Sequence, residues 1–138
     1  MIYIKQRGEH DCGVAALAMA VGADYETIYE ACRDRIEDDR GINELLLHEW
    51  LYRHGWAWQQ IFRVHQLGGV NVVRETWPPA PWAPVHLCQV LATRDWHFAA
   101  MDETGRVFDP WDSSRISLND PVYRKVSWVM GLWHVQER

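Results

Sequence analysis

Apolar residues recur at helical spacing along the N-terminal part of the chain, up to Gly55. The first such segment, CGVAALAMAVGA, starts at Cys12 and reaches a glycine stop at Gly22. Its helically spaced apolar positions are Val14, Leu17, Ala18 and Val21. Because small apolar residues fill most of this run, we expect a short helix that is buried and tightly packed.

Two more helices are expected before the pattern changes. Asp24 is placed to cap a helix over residues 25–34, and Asn43 to cap one over residues 44–54, with Gly55 as its left-handed exit. The expected inward-facing positions are Ile28, Ala31 and Cys32 in the first, and Leu46, Leu47, Trp50 and Leu51 in the second. Between the two helices, the acids Glu37, Asp38 and Asp39 indicate a solvated loop, since like charges repel.

Beyond Gly55, β-branched and aromatic residues in short runs predict strands. Residues 56–64 form one such run, and a proline-rich stretch over residues 76–84 predicts an extended connector. The expected later strands are VHLCQVLA, HFAAMD, RVFDP and KVSWVMGLWHV, the last as one long or two short strands. Helices followed by an antiparallel sheet are the pattern of an α+β domain, and we expect residues 1–138 to form one domain.

Composition narrows the possible partners and the compartment. The chain of 138 residues is 48% hydrophobic and 24% charged, which is typical of a folded domain. Its net charge of −5, with scattered Lys and Arg, argues against a nucleic-acid partner. No apolar stretch approaches the roughly 18 residues of a membrane span, and no signal-peptide core is present, so we expect a cytoplasmic protein without a membrane partner.

Three cysteines, an odd number at wide spacing, fit neither a disulfide framework nor a paired zinc site. Free thiols in a reducing compartment are the simplest interpretation, and we expect no metal and no cofactor. His86 and Cys88, at positions i and i+2 of one strand, form a possible pair of metal ligands, but sheet packing is the simpler explanation for them. The glycine pair in QLGGV, residues 66–70, predicts a turn rather than a cleavage sequence.

Cys12 stands in the first turn of the first helix. Unpaired backbone N–H groups and the helix dipole favour a thiolate there. Gly13 would leave room for a substrate backbone beside it. Gln6, six residues upstream, can turn its amide towards the same place and form an oxyanion hole with the Cys12 backbone N–H. A buried structural thiol is the alternative for any cysteine that precedes an apolar helix.

The base that a cysteine nucleophile needs is expected at His97. This residue opens a predicted strand, and Asp109 lies 12 residues later, across the hairpin whose turn is ETGR. Antiparallel pairing would bring the Asp109 carboxylate near the His97 ring, where it can fix the tautomer. Taken singly, His97 is a common half-buried histidine and Asp109 a common turn residue.

The pattern Q-x5-C-G with a helix behind the cysteine, a downstream H-F strand and F-D-P resembles the papain-like fold. The chain is most similar to the bacteriocin-processing double-glycine peptidases. Further segments carry the resemblance. They are GINELLLHEWLYRHGWAWQQIFRV, APVHLCQVL, DWHFAAMD and GRVFDPW. The resemblance implies a cysteine peptidase acting on a peptide or protein, with Cys12 as nucleophile, His97 as base, Asp109 as its orienting carboxylate and Gln6 as oxyanion donor.

One residue departs from that family. A glycine usually precedes the catalytic histidine there, whereas this chain has Trp96, whose indole would narrow the substrate cleft. A domain without a transporter would meet its substrate in solution or through a partner chain. Two other functions share these residues: a papain-like domain that binds peptides without cleaving them, and an amidase or transferase that acts on another amide.

Overall fold

The computed structural model describes residues 1–35, 42–63, 82–92 and 95–135. Within them, three α-helices precede a five-stranded sheet. Their bounds are α1 Cys12–Val21, α2 Tyr25–Cys32, α3 Glu44–Arg53, β1 Trp56–Arg63, β2 Val85–Ala92, β3 Asp95–Asp102, β4 Val107–Phe108 and β5 Tyr123–His134. The expected solvated loop with Glu37, Asp38 and Asp39, the QLGGV turn and most of the proline-rich connector lie outside the described residues.

Helix α1 is the central helix of the core. Every residue from Cys12 to Ala20 is buried, and the helix packs against α2, β2 and β3. Gly22 ends it in the left-handed conformation, at φ 72°, as its position in the sequence predicts. Small side chains along α1 let its backbone approach the sheet closely, so the position of Cys12 is set by a rigid support.

The two expected caps are confirmed. The Asp24 carboxylate accepts a hydrogen bond from the Thr27 backbone N–H, and the Asn43 amide oxygen accepts one from the Leu46 N–H. Each bond satisfies a donor that the first turn of a helix leaves without a partner.

The buried stripe of α2 differs from the expected one. Its buried residues are Tyr25, Ile28 and Cys32, whereas Ala31 is exposed. The spacing i, i+3, i+7 points Tyr25 inwards in place of Ala31, because α2 rests on the neighbouring α1 and on the loop before it. The inward face of α3 is confirmed, with Leu46, Leu47, Trp50 and Leu51 all buried.

The strands form an antiparallel sheet in the order β1-β5-β2-β3-β4. The C-terminal segment is one long strand, β5, which lies between β1 and β2. Alternate residues point to opposite faces. The helix side carries Leu87, Phe98, Ala100, Trp128, Met130 and Leu132, and the other side carries Cys88, Val90, Ala99, Met101, Val126 and Val129. The α+β class is thereby confirmed.

The hairpin of β3 and β4 carries His97 and leads to Asp109. Strand β3 starts at Asp95, two residues before the expected start, because Asp95 and Trp96 pair with the end of β2. The Asp102 carboxylate closes the turn by accepting from the backbone N–H groups of Thr104 and Arg106. None of the helices in the described residues has the length and apolarity that a membrane span requires.

Candidate active site

Cys12 begins α1 and is 8% exposed. Asp11, the N-cap residue, makes no side-chain bond to the first turn of the helix. Its carboxylate therefore does not occupy the N–H groups next to Cys12, which an N-cap aspartate normally uses. The other two cysteines, Cys32 and Cys88, are almost fully buried within the core.

His97 and Asp109 form a direct hydrogen bond. The distance between His97 Nε2 and Asp109 Oδ1 is 2.7 Å, and both side chains are buried. The hairpin explains the contact, since Ala100 faces Phe108 across the β3–β4 pairing. Asp109 follows Phe108 directly, so it comes to lie diagonally opposite His97 on the same face.

The Asp109 carboxylate and the Cys12 thiol both affect the pKa of the His97 ring. Burial disfavours the charged imidazolium, but hydrogen bonds to Asp109 and Cys12 outweigh burial and raise the pKa of His97 to about 9. Because Nε2 is bonded to Asp109, the other ring nitrogen, Nδ1, is left for the Cys12 thiol. Both partners therefore favour the protonated form of the ring.

Asp109 has no exposed surface and is surrounded by donors. Oδ1 also accepts from the Trp111 backbone N–H at 2.8 Å, and Oδ2 accepts from the Tyr123 hydroxyl at 2.5 Å and from Arg115 at 3.4 Å. Burial alone would raise the pKa of Asp109, but the bonds to His97, Tyr123 and Trp111 outweigh it and hold that pKa below the ordinary value. The carboxylate is thus kept charged next to His97.

The N-terminal segment is fastened to the Asp109 loop. The Tyr3 hydroxyl donates to the Asp109 carbonyl oxygen at 2.6 Å, and the Gln6 backbone N–H donates to the Pro110 carbonyl oxygen at 2.8 Å. Both bonds join segments that are distant in sequence, and they place Gln6 beside the loop that holds Asp109. Gln6 as a whole is 6% exposed.

The Gln6 amide has one local partner. Its Nε2 donates to the Gly8 carbonyl oxygen at 2.8 Å, which leaves the second hydrogen of the amino group for another acceptor. Oε1 is buried and has no hydrogen-bond partner within the described part of the chain. Lys5, Gln6, Arg7, Gly8, Glu9 and Trp111 line a cavity of about 410 Å³. The expected oxyanion donor thus lies at the wall of an open cavity.

The loop between Gln6 and Cys12 is organised by Asp11. Its Oδ2 accepts from the Arg7 backbone N–H at 2.7 Å and from the Tyr25 hydroxyl at 2.5 Å, and its Oδ1 accepts from the Gly8 N–H at 2.8 Å. Arg7 in turn lies 4.1 Å above the Tyr25 ring. The loop is therefore closed on itself and tied to α2.

The two cleft positions expected from the sequence have different surroundings. A Cβ on Gly13 would lie 2.5 Å from Ile42 Cγ1 and 3.2 Å from Phe98, so core side chains occupy the space that we expected a substrate to use. Gly13 is a packing position and not a cleft wall. Trp96 is 52% exposed at the outer end of β3, on the face that Phe98 shares.

No group of three or more His, Cys, Asp or Glu residues in the described ranges is arranged to hold a metal ion. His86 and Cys88 are fully buried within the sheet. Burial lowers the pKa of His86 and raises the pKa of Cys88 to about 12. His10, two residues before Cys12, is exposed, and its Nε2 lies 3.8 Å from Oε2 of Glu9.

Sequence reasoning missed four residues around the site: Tyr3, Asp11, Arg115 and Tyr123. Asp11 carried a local signal, since it occupies the N-cap position directly before Cys12. The other three carried none, because Tyr3 in an irregular segment, Tyr123 in a strand and Arg115 in a loop are ordinary residues at such positions. Their contacts with Asp109 depend on how distant segments meet.

A comparison with solved structures identifies the fold. The peptidase domain of Streptococcus ComA, a bi-functional ABC transporter involved in a quorum sensing pathway, matches with a TM-score of 0.62 and 16% sequence identity. The match covers 97% of this chain and 98% of that chain. A scan against protein-family models and a search of curated proteins gave no match. The chain therefore has the α+β, papain-like fold of that peptidase domain, as the resemblance in its sequence implied.

Proposed function

We propose that this protein is a cysteine peptidase in which Cys12, His97 and Asp109 act as a triad. The observation that carries the proposal is the buried His97 ring, bonded at 2.7 Å to the Asp109 carboxylate and close enough to the Cys12 thiol that the thiol raises the pKa of His97. An imidazolium beside a cysteine favours the thiolate, which is the nucleophilic form. The solved peptidase domain with the same fold supports the same reaction class.

In the first half of the reaction, the Cys12 sulfur attacks the carbonyl carbon of a peptide bond. The carbonyl oxygen becomes an oxyanion, which the free hydrogen of the Gln6 amide and the Cys12 backbone N–H would stabilise. His97 then gives its proton to the leaving nitrogen. The C–N bond breaks, the amine leaves, and a thioester joins the acyl group to Cys12.

In the second half, the neutral His97 ring accepts a proton from water. The hydroxide equivalent attacks the thioester carbonyl, the C–S bond breaks, and the carboxylic acid leaves. The thiolate and the imidazolium are restored together. Asp109 keeps the ring oriented throughout and stabilises its positive charge, which is the function of the third group in such triads.

Two exposed indoles lie close in sequence to His97 and Asp109. Trp96 precedes His97 in β3 and is 52% exposed, and Trp111 follows the Asp109-Pro110 pair and is 50% exposed. A bulky side chain at the Trp96 position would restrict the residues that a substrate can present next to the cleaved bond. We therefore propose a peptide or protein substrate other than a double-glycine leader.

Thiol reactivity tests the proposal without a known substrate. Sub-stoichiometric iodoacetamide at pH 6, followed by peptide mapping, should modify Cys12 at least about tenfold faster than Cys88, whose high pKa disfavours the thiolate. His97→Ala should remove most of this preference. Equal modification of the cysteines in both proteins would overturn the catalytic proposal.

Turnover needs a second measurement, because a binding domain can also hold a reactive thiol. The wild-type protein and Cys12→Ser should be incubated with a diverse peptide mixture and the products read by mass spectrometry. New termini that form only with the wild type would support a peptidase. A reactive Cys12 without new peptide termini would favour the amidase, the transferase or the peptide-binding domain.

A further inference from the structure

Asp11 precedes the nucleophile, yet its carboxylate points away from the helix that it caps. N-cap aspartates usually accept a hydrogen bond from the second or third N–H of their own helix. Asp11 makes no such bond in α1, although the backbone N–H of Ala15 still bonds to its carbonyl oxygen at 3.2 Å. Its carboxylate instead accepts hydrogen bonds from the backbone of the preceding loop and from the Tyr25 hydroxyl of α2.

The bonds of Asp11 lead directly to the Gln6 amide. The Gly8 backbone N–H donates to Asp11 Oδ1 at 2.8 Å, and the Gly8 carbonyl oxygen accepts from Gln6 Nε2 at 2.8 Å. Gly8 thus links the carboxylate to the amide. The Arg7 N–H bond to the same carboxylate, at 2.7 Å, holds the residue between Gln6 and Gly8.

The far side of the carboxylate is fixed by α2. The Tyr25 hydroxyl donates to Asp11 Oδ2 at 2.5 Å, and Tyr25 is 7% exposed. Burial and this hydrogen bond to Asp11 raise the pKa of Tyr25, so its hydroxyl remains a donor at any physiological pH. The loop is therefore anchored to an element that the core holds in place.

We propose that Asp11 is a positioning residue for the oxyanion hole: through Gly8 it sets the place of the Gln6 amide, and it leaves the first-turn N–H groups of α1 to the substrate. The inference rests on the proposed peptidase function and adds a residue to it. Asp11 touches neither the substrate nor the reacting atoms. Its effect is confined to reactions that build an oxyanion.

Two small reagents separate this effect from the reactivity of the thiol. Iodoacetamide alkylates Cys12 by displacement of iodide, which creates no oxyanion, whereas p-nitrophenyl acetate acylates it through a tetrahedral oxyanion and releases p-nitrophenolate. The ratio of the acylation rate constant to the alkylation rate constant therefore reports the oxyanion hole. A change in the thiolate fraction or in access to Cys12 affects both rates and cancels.

The decisive variant is Asp11→Asn, which places an amide hydrogen where one of the N–H donors now points. Since the loss of an oxyanion donor costs about 10²–10³ in rate, a displaced donor should lower the ratio about tenfold, and Gln6→Ala at least as much. The ratio in the double variant with Asp11→Asn and Gln6→Ala should be no lower than the ratio in Gln6→Ala alone. Asp24→Asn, the same change at the N-cap of α2, is the matched control and should leave the ratio unchanged.

The inference would be overturned if Asp11→Asn had the same ratio of acylation to alkylation as the wild type, or if the two losses in this ratio multiplied in the double variant. Either result would leave the peptidase proposal standing. A wild-type Cys12 that iodoacetamide modifies no faster than Cys88 would overturn both. If Asp11→Asn does not fold, Tyr25→Phe decides. It removes one of the three donors to Asp11, so a lowered ratio supports the inference and an unchanged ratio overturns it.

Discussion

The candidate site has two halves, each organised around one carboxylate. The sheet half contains Asp109 and its partner His97, and the loop half contains Asp11 and the loop that carries Gln6. In the sheet half, Asp109 has no exposed surface and its bonds come from side chains and N–H groups that are themselves at least partly buried. Its partner is the His97 ring, whose Nε2 lies 2.7 Å from Asp109 Oδ1. Removal of that carboxylate would leave several buried donors without an acceptor, which is costly.

In the loop half, Asp11 is partly exposed and two of its three donors are backbone N–H groups of its own exposed loop. Water can replace such bonds when the carboxylate is changed. Asp109 thus stabilises a charge, whereas Asp11 fixes the position of a loop. Substitutions in the sheet half should therefore affect the protonation of His97 and the stability of the fold, and those in the loop half only the oxyanion step.

Asp109→Asn should have the largest effect. The amide removes the charge that holds the proton on His97, so acylation by p-nitrophenyl acetate should fall about 10²–10⁴-fold, as in other triads that lose this carboxylate. The pKa of His97, measured by ¹⁵N NMR of the imidazole, should fall from about 9. Asp34→Asn, at an exposed position just after α2, is the control. A His97 pKa that stays near 9 in Asp109→Asn would contradict this account of the sheet half.

The stability of the protein should depend on the protonation of His97. In the folded protein, the pKa of His97 is raised from its ordinary value of 6.5 to about 9. The contribution of this group to the free energy of unfolding is therefore fully present below pH 6.5 and is lost as the pH rises through about 9. Urea unfolding between pH 6 and 10 should show this decrease. The decrease should be smaller in Asp109→Asn, whose His97 binds its proton less tightly. An equal decrease in both proteins would assign the pH dependence to other groups.

Tyr123→Phe should have an intermediate effect. It removes one buried hydrogen bond to a charged group, which is worth about 1.5–3 kcal/mol in the free energy of unfolding. The pKa of His97 should fall by less than in Asp109→Asn, because the charge of Asp109 is kept. Urea unfolding and ¹⁵N NMR measure the two effects. Tyr52→Phe, at a tyrosine of α3 that is 79% exposed, should change neither.

Glu26→Gln should have the smallest effect. The Arg7–Glu26 ion pair ties the loop half to α2, but both side chains are mostly exposed, and such pairs contribute little. The melting temperature and the ratio of acylation to alkylation should both equal those of the wild type. A ratio as low as that expected for Asp11→Asn would show that the ion pair, and not the Asp11 carboxylate, holds the loop.

The helices and their ends could be predicted from local sequence alone. Asp24 and Asn43 cap their helices with bonds to residues three positions ahead, and Gly22 takes a conformation that glycine adopts without strain. Such signals act within one turn of chain. The prediction was wrong for Ala31 and for the start of β3, where the neighbouring element decides which residues are buried or paired.

For the site, the sequence by itself determined that Cys12 starts a buried helix and that Asp109 lies one hairpin away from His97, because both follow from local periodicity. Only the tertiary structure decided that Ile42 fills the space beside Gly13, and that Tyr3, Arg115 and Tyr123 close around Asp109. The Tyr3 contact spans 106 positions and the Tyr123 contact 14. Hydrogen bonds depend on atoms meeting within about 3 Å. No pattern of neighbouring residues encodes which distant side chains will meet at that distance.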